Sequence, residues 1–123
     1  MMQDLVGIVR KEDEMLRALD GVNKLWDRAK KVGVYGNREY NPGWHTALDL
    51  TNLLTAAEAV TRSAIERKES RGAQFREDYL DKDPAFGKVN IVLRKAADGS
   101  MEVRREPIPE IRPDLQQIIQ EMK

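Results

Sequence analysis

Apolar and polar positions alternate at helical spacing over the first seventy residues. One stripe predicts a helix over residues 11–31, with apolar positions four and three residues apart at Met15, Leu19, Val22, Trp26 and Ala29. Such a stripe is typical of a helix that packs one face against a partner. Acidic residues at its start and basic residues at its end complement the helix dipole. Gly33 stands where a left-handed C-cap is expected.

A second long stripe predicts a helix over residues 42–68. Asn41 offers an N-cap side chain, and Pro42 suits the first helical turn. The apolar positions are again three and four residues apart, at Leu50, Leu53, Ala57, Val60 and Ala64. Because the loop between the two helices is short, we expect them to pack antiparallel.

A shorter stripe precedes these two. Met2, Leu5 and Val9 are spaced for a helix of about ten residues, which is marginal in isolation and would need to pack on its neighbours. Residues 1–71 therefore predict a three-helix up-down bundle of the spectrin-repeat kind.

Beyond residue 72 the helical period is lost. Residues 88–94 and 101–105 are strand-like and flank the turn signal Asp98-Gly99, so a β-hairpin is predicted over about residues 88–106. Pro113 can then open a short C-terminal helix whose apolar positions are Leu115, Ile118, Ile119 and Met122. Because an isolated hairpin is marginal, we expect residues 72–123 to pack on the bundle and form one mainly α domain with it.

Charge and composition exclude several classes of function. Lys plus Arg and Asp plus Glu both number 21, without the basic excess that nucleic-acid binding favours. The absence of cysteine excludes disulfides, thiolate catalysis and cysteine-ligated metal centres within this chain. No apolar run approaches the roughly 20 residues of a bilayer span. No signal-peptide pattern opens the chain. We therefore expect no direct membrane insertion and a cytoplasmic location.

Candidate chemistry is sparse. His45 is the single histidine, and no glycine-rich phosphate loop is present. Asp78, Asp81 and Asp83 lack the glycine turn and terminal Glu of a calcium loop. The residues alone predict no catalytic, cofactor-binding or metal site, and indicate a non-catalytic helical module.

One charged run, residues 69–79, follows directly on the predicted long helix. It places Arg71 and Arg76 around Gly72, beside Glu69 and Asp78. Because arginine bonds carboxylates through two parallel N–H groups, these arginines could clamp an internal Glu or Asp, or a partner. A solvated helix end is the third interpretation of such a run.

The run resembles the Glu-Ser-Arg-Gly-Ala-His-x-Arg-x-Asp-Tyr-Pro signature of the C-terminal domain in the succinate dehydrogenase and fumarate reductase flavoprotein family. Residues 44–54 and 57–64 are similar to the long helix of that family, and residues 7–10 to its Gly-Ile-x-Arg stretch. The resemblance extends over residues 1–81 and is looser beyond Pro84.

Two positions depart from the signature. Gln74 stands where His is usual, which removes any titrating role there, and Leu80 stands where Pro is usual. L-aspartate oxidases and adenylylsulfate reductases share a similar motif. Ala73, with the Arg76, Asp78 and Tyr79 pattern, favours succinate dehydrogenase or fumarate reductase over them.

The resemblance implies a role without catalysis. In that family succinate and fumarate are interconverted at FAD held by upstream domains, and electrons pass to an iron–sulfur subunit. This chain would then be a structural domain, cut away from a parent that is expected at the cytoplasmic face of a membrane through partner subunits. We expect Glu69, Arg71, Arg76 and Asp78 to be its docking contacts.

The partners implied are the FAD-binding and capping domains of the same parent chain and the iron–sulfur subunit. A face left bare by the cut would support a non-native homodimer of the separate domain. Two alternatives stay open: the C-terminal domain of a related FAD enzyme of the L-aspartate oxidase type, and an independent helical interaction module. The direction of the parent reaction is also open.

Overall fold

A computed structural model of the protein describes residues 1–122. In chain order its elements are α1 (Met2–Leu5), β1 (Val9–Arg10), α2 (Glu12–Ala29), α3 (Pro42–Glu66), β2 (Phe75–Arg76), a 3₁₀ turn (Phe86–Lys88), β3 (Val89–Lys95), β4 (Met101–Pro107) and α4 (Pro113–Glu121). The mainly α class with a β-hairpin and a short C-terminal helix is confirmed, and the bounds of α2, α3 and the hairpin lie within about two residues of the prediction.

The core lies between α2 and α3, with the start of α2 beside the end of α3. The predicted stripe of α2 is confirmed at Met15 and Val22, which are fully buried. On α3 the buried face is rotated from the predicted one: Leu54 and Thr61 are buried, whereas Leu53 is 63% and Val60 46% exposed. Thr61 can face inward because its hydroxyl donates to the Ala57 carbonyl within the helix. An apolar stripe of α3 is thereby left bare.

The bundle prediction was wrong about the length of the first helix. α1 is a single turn instead of about ten residues, and Val9–Arg10 is extended and pairs in parallel with Phe75–Arg76. The Phe75 amide donates to the Ile8 carbonyl, a contact across 67 positions that apolar spacing cannot reveal. Met2 and Leu5 still pack against the buried cluster of Val6, Met15, Ala18 and Ala64.

Of the two caps predicted for the connection between α2 and α3, one is confirmed and one is wrong. Asn41 caps α3 as expected, its Oδ1 accepting from the Gly43 amide at 3.0 Å. Gly33, in contrast, is not a left-handed C-cap, because α2 already ends at Ala29 and the cap residue Lys30 has right-handed helical geometry.

β3 and β4 form the expected antiparallel hairpin, with Leu93 opposite Val103. Gly99, at a φ of 84°, provides the left-handed turn residue. The hairpin lies against α3, where the Arg105 Nε donates to Glu66 at 2.6 Å.

α4 differs from the prediction that it packs on the bundle. It has no buried residue, and Leu115, Ile118 and Ile119 are 45–50% exposed. Prolines at 107, 109 and 113 remove the amides that could pair this segment back onto the hairpin. Of the helices formed by residues 1–122, none is both long enough and apolar enough to span a bilayer.

Candidate functional site

Glu69 is the centre of the segment that follows α3, residues 67–83, which we call the arginine loop. Its carboxylate is fully buried and accepts four hydrogen bonds. Oε1 accepts from Arg67 at 2.6 Å and Arg71 at 2.7 Å. Oε2 accepts from Arg71 at 3.0 Å and the Asp83 amide at 2.8 Å. Every lone pair of this buried charge therefore has a donor.

This set of donors sets the ionisation of Glu69. The hydrogen bond from Arg71 is the largest influence and opposes the cost of burial. Together with the bonds from Arg67 and the Asp83 amide, it lowers the pKa of the Glu69 carboxyl from 4.5 to about 2. Glu69 is thus a carboxylate at all ordinary pH values and is not poised for proton transfer.

Arg76 is the second buried charge and lies at the end of α3. Its guanidinium is fully buried, and Nη1 donates to the Ala64 carbonyl at 2.9 Å and the Ile65 carbonyl at 3.4 Å. The last carbonyls of a helix have no partner inside that helix, and its C-terminus carries partial negative charge. Arg76 therefore supplies both the donors and the positive charge that this helix end requires.

Asp78 completes the arrangement at the start of α2. It accepts from Arg76 through both oxygens, each at 2.7 Å, and its Oδ2 also accepts from the Glu12 amide at 3.1 Å. A carboxylate at a helix N-terminus satisfies a free amide and the positive end of the dipole. The hydrogen bonds from Arg76 lower the pKa of Asp78, and the Arg76–Asp78 pair links the ends of two helices.

Two short side chains give the arginine loop its shape. The Ser70 hydroxyl accepts from the Arg76 amide at 2.8 Å and donates to the Tyr79 carbonyl at 2.8 Å. Arg71 and Gln74 exchange both backbone hydrogen bonds around Gly72, whose φ is 60°. A Cβ at Gly72 would meet nothing within 4 Å, so the turn requires glycine for its backbone angle and not for space.

Gln74, the departure from the family signature, connects the arginine loop to the N-terminal segment. Its Oε1 accepts from Arg10 Nη1 at 2.7 Å, and its Nε2 donates to the Arg67 carbonyl at 2.8 Å and the Glu69 carbonyl at 3.3 Å. One neutral side-chain amide thus hydrogen-bonds to a guanidinium and to two backbone carbonyls.

Arg67 ties the arginine loop to the hairpin. It donates to the carbonyls of Phe86 at 3.1 Å and Val89 at 3.2 Å, and its guanidinium lies 5.6 Å from the centre of the buried Phe86 ring. Arg105 of β4 approaches the same ring at 4.5 Å. The arginine loop therefore bonds to α2, α3 and the hairpin at once.

The four residues predicted as docking contacts are brought together, and they divide by exposure. Glu69 and Arg76 are fully buried, whereas the side chains of Arg71 and Asp78 are 38% and 24% exposed. Of the interpretations open for the charged run, the internal clamp is confirmed, since each arginine pairs with a carboxylate two residues away. A docking role for the four residues stays a prediction.

Sequence reasoning did not place Arg10, Glu12, Arg67 and Gln74 in this cluster. Arg67 stands two residues before Glu69, the same spacing as between Glu69 and Arg71, and that symmetry was an available signal. No signal in one sequence joins Arg10 to Gln74 across 64 positions. His45 is exposed in the first turns of α3, and within the described part of the chain no three His, Asp or Glu side chains converge as a metal ion requires.

Comparisons with known proteins agree with one family. The family model described as fumarate reductase flavoprotein C-term matches residues 1–117. A fumarate reductase flavoprotein subunit of Haemophilus influenzae is 37% identical, over 68% of this chain and 14% of its own length. An L-aspartate oxidase of Streptomyces coelicolor is 30% identical, over 92% of this chain and 19% of its own length.

Solved structures extend the likeness to the fold. A structure of Mycobacterium smegmatis Sdh1 in complex with UQ1 is similar with a TM-score of 0.88 and 38% identity, over 96% of this chain and 20% of that one. The chain spans about a fifth, or less, of the length of these relatives. From the match over residues 1–117 it follows that the chain belongs to the fumarate reductase flavoprotein C-terminal domain family.

Proposed function

We propose that this chain is the C-terminal structural domain of a flavoprotein that interconverts succinate and fumarate and passes electrons to an iron–sulfur subunit. One observation carries the proposal: the charged residues of the family's signature run bond to one another and to helix ends, with Glu69 and Arg76 fully buried. Groups held in this way have no free acid, base or nucleophile to offer. The signature then acts as a clip that fixes the shape of a docking domain.

FAD, the cofactor of such flavoproteins, does not fit the residues present. A pyrophosphate is held by free amides at the start of a helix that follows a glycine-rich turn. At α2 the first-turn amide is taken by Asp78, and Glu12, Asp13 and Glu14 would repel a phosphate. At α3 the amide of Gly43 is taken by Asn41. FAD in this proposal belongs to the rest of the polypeptide.

Bare apolar surface supports docking. Leu53 and Val60 on α3, with Leu115 and Ile118 on α4, are each at least 45% exposed. Apolar patches of this kind mark surfaces that contact other proteins or domains. In our proposal the FAD-binding and capping domains of the same polypeptide and the iron–sulfur subunit cover them. The exposed parts of Arg71 and Asp78 contact these partners, and Glu69 and Arg76 hold the loop in place.

Assembly and location follow from the same proposal. Relatives are named as flavoprotein subunits, which supports assembly with other chains. We place the assembled polypeptide at the cytoplasmic face of a membrane, held there through partner subunits. The separate 123-residue chain, with the α3 stripe bare, is expected to form a non-native homodimer whose dissociation follows protein concentration in sedimentation.

A second candidate is the C-terminal domain of an L-aspartate oxidase. The Streptomyces coelicolor relative favours it, since the match covers 92% of this chain, although at 30% identity compared with 37% for the Haemophilus influenzae fumarate reductase subunit. The arginine loop does not distinguish the two candidates, because its hydrogen bonds are all made within this domain.

The test uses the complete polypeptide that carries this sequence. We expect the purified protein to contain FAD, to reduce fumarate with a viologen donor and to oxidise succinate, and to show no oxidation of L-aspartate. FAD with L-aspartate oxidation would establish the second candidate instead. A complete polypeptide with no sequence outside these 123 residues, or one that binds no flavin, would overturn both.

A further inference from the structure

A groove of about 630 Å³ lies between the last turns of α3 and the strand β3. Its lining includes the small residues Ala59 and Ser63 of α3 and the apolar residues Val60, Ile91 and Leu93. Arg10 and Asn90 supply polar groups to it. Arg67 and Gln74 of the arginine loop also line the groove, so it adjoins the charged cluster described above.

Arg10 is the unusual residue of this groove. Arg67, Arg71 and Arg76 each have a carboxylate partner, whereas Arg10 has none within 4.0 Å among residues 1–122. It is half-buried and donates only to neutral oxygens, Gly7 O at 2.6 Å and Gln74 Oε1 at 2.7 Å. Burial first, and the nearby charge of Arg76 second, lower its pKa. A half-buried cation without an anion is costly unless a partner provides one.

Free donors remain for such an anion. Arg10 uses Nε and one hydrogen of Nη1, and its Nη2 bonds to no atom of the described chain. No polar atom of a non-exposed side chain is both buried and unpartnered in residues 1–122, so this Nη2 is accessible to solvent, and Arg10 is one of the residues that line the groove. Asn90 also lines the groove, and its side-chain amide makes no hydrogen bond within the described residues. Two residues with free donors thus line one groove together with apolar side chains.

We propose that the groove receives an acidic segment of the same polypeptide from outside these 123 residues. Its carboxylate pairs with Arg10 Nη2, and an apolar side chain beside that carboxylate packs on Val60 and Leu93. The charge of Arg10 selects a carboxylate, and the small side chains in the lining let a backbone approach closely. The inference rests on the proposed function and names the chemistry of one docking contact.

The test begins with Arg10→Lys in the complete polypeptide, followed by carbodiimide cross-linking and peptide mass spectrometry. We expect the new amine to form an amide with an Asp or Glu outside the 123-residue sequence. Lys68, which lies 3.8 Å from Glu12, provides an internal cross-link showing that the reaction worked. Cross-links only to residues 1–122, to a second copy, or to another subunit would overturn the proposal.

Accessibility gives a second readout. The chain has no cysteine, so Val60→Cys, tracked by its peptide, reports on the groove and Lys24→Cys on an exposed face of α2. We expect maleimide labelling of Val60→Cys to be at least tenfold slower in the complete polypeptide than in the 123-residue chain, and Arg10→Met to restore most of the rate. Labelling of Lys24→Cys should not differ.

The two proposals fail differently. If Val60→Cys labels at equal rates while hydrogen exchange shows other faces of this domain protected in the complete polypeptide, the groove proposal is wrong and the docking function stands. If exchange is equal over all 123 residues, the docking function is wrong and the groove proposal with it. Protection that Arg10→Met leaves unchanged would also overturn the carboxylate contact.

Discussion

Arg76 and Asp78 form a two-point ion pair in which each member also caps a different helix. Both hydrogen bonds of the pair measure 2.7 Å. Nη1 of Arg76 also donates to carbonyls at the end of α3, and Asp78 accepts from the first amide of α2. The positive group lies at the negative end of one dipole, and the negative group at the positive end of the other. The pair thus couples the two long helices at the point where the arginine loop leaves the bundle.

Arg76→Met is expected to destabilise the 123-residue chain by about 3 kcal/mol. The change removes the arginine partner of Asp78 and leaves the Ala64 and Ile65 carbonyls without their donor. Loss of one partner of a buried ion pair costs about 3–5 kcal/mol. Urea unfolding followed by the fluorescence of the tryptophans measures it. Arg104→Met is the matched control: its pair with Glu102 is exposed, so a change under about 0.5 kcal/mol is expected. Equal losses of unfolding free energy in the two variants would contradict the proposal that the Arg76–Asp78 pair holds the two helix ends together.

Stability should fall in acid because of Glu69. Its pKa is about 2 in the folded chain and near 4.5 in the unfolded chain, so between these values the unfolded state binds more protons. The contribution is fully present above pH 4.5 and is lost as pH falls towards 2. A lowering of this size corresponds to about 3 kcal/mol. Urea midpoints measured from pH 6 to pH 2.5 report the loss.

Glu69→Gln is the control for that titration. It keeps the shape of the side chain but not its charge, so it should be less stable than the unmodified chain at pH 7 and show a flatter dependence below pH 4.5. A variant with an undiminished acid slope would assign that slope to other carboxylates, such as Asp78, whose pKa is also lowered.

Gly72→Ala should destabilise the chain by about 1 kcal/mol, because alanine is strained at a φ of 60°. Space is not the cause, since a Cβ there would touch nothing. Gly33→Ala is the matched control, because it too has an open surrounding but a φ outside the left-handed region. That control should be neutral or slightly stabilising. Thermal unfolding of both variants compares them, and equal shifts would contradict the backbone argument.

The elements that could be predicted are those specified by near neighbours. Asn41 followed by Pro42 located the start of α3, and Asp98 with Gly99 located the hairpin turn, since caps and turns depend on adjacent residues. The length of α1 was overestimated because Val9 continues the helical spacing. In the structure the carbonyls on either side of Val9 accept instead from the amides of Phe75 and Glu77, far along the chain. Long-range backbone pairing of two residues has no local pattern.

The site shows the same division. The sequence predicts that two arginines and two carboxylates cluster, because the members of each pair, Glu69 with Arg71 and Arg76 with Asp78, are two residues apart. The helix caps that these pairs make were not predicted, because they depend on where α2 and α3 end in space. The spacing alone predicted that Leu53 and Val60 face the core. In the structure Thr61 is buried instead, because its hydroxyl donates to a carbonyl within the helix.

Gln74→His, which restores the residue usual in the family signature, should make stability depend on pH near neutrality. A neutral imidazole can accept from Arg10 and donate to one of the carbonyls that Gln74 now holds. Protonation removes the acceptor and places a cation beside Arg10, so the folded state disfavours it and the pKa falls below the ordinary value of about 6.5. The unfolded state then binds more protons, and stability should drop as pH falls below about 6.5.

Urea midpoints at pH 7.5 and pH 5.5 measure this difference, and His45→Gln can be added so that one histidine remains. The unmodified chain, with Gln74, should show little change over the same interval. A Gln74→His variant that is equally stable at both values would mean that the side chain has left its position between Arg10 and the Arg67 carbonyl.

Removing α4 should leave the 123-residue chain almost as stable as before. Truncation after Glu110 keeps the hydrogen bond from the Ile108 amide to the Lys88 carbonyl and deletes a helix with no buried residue, so we expect a change under about 0.5 kcal/mol. Met15→Ala, which opens a cavity at a fully buried position, should cost about 3 kcal/mol in the same urea experiment. In the complete polypeptide the truncation should be costly, because it removes the apolar face of α4 from the partner surface that it contacts in our proposal. A large loss in the separate chain would mean that α4 packs on the bundle.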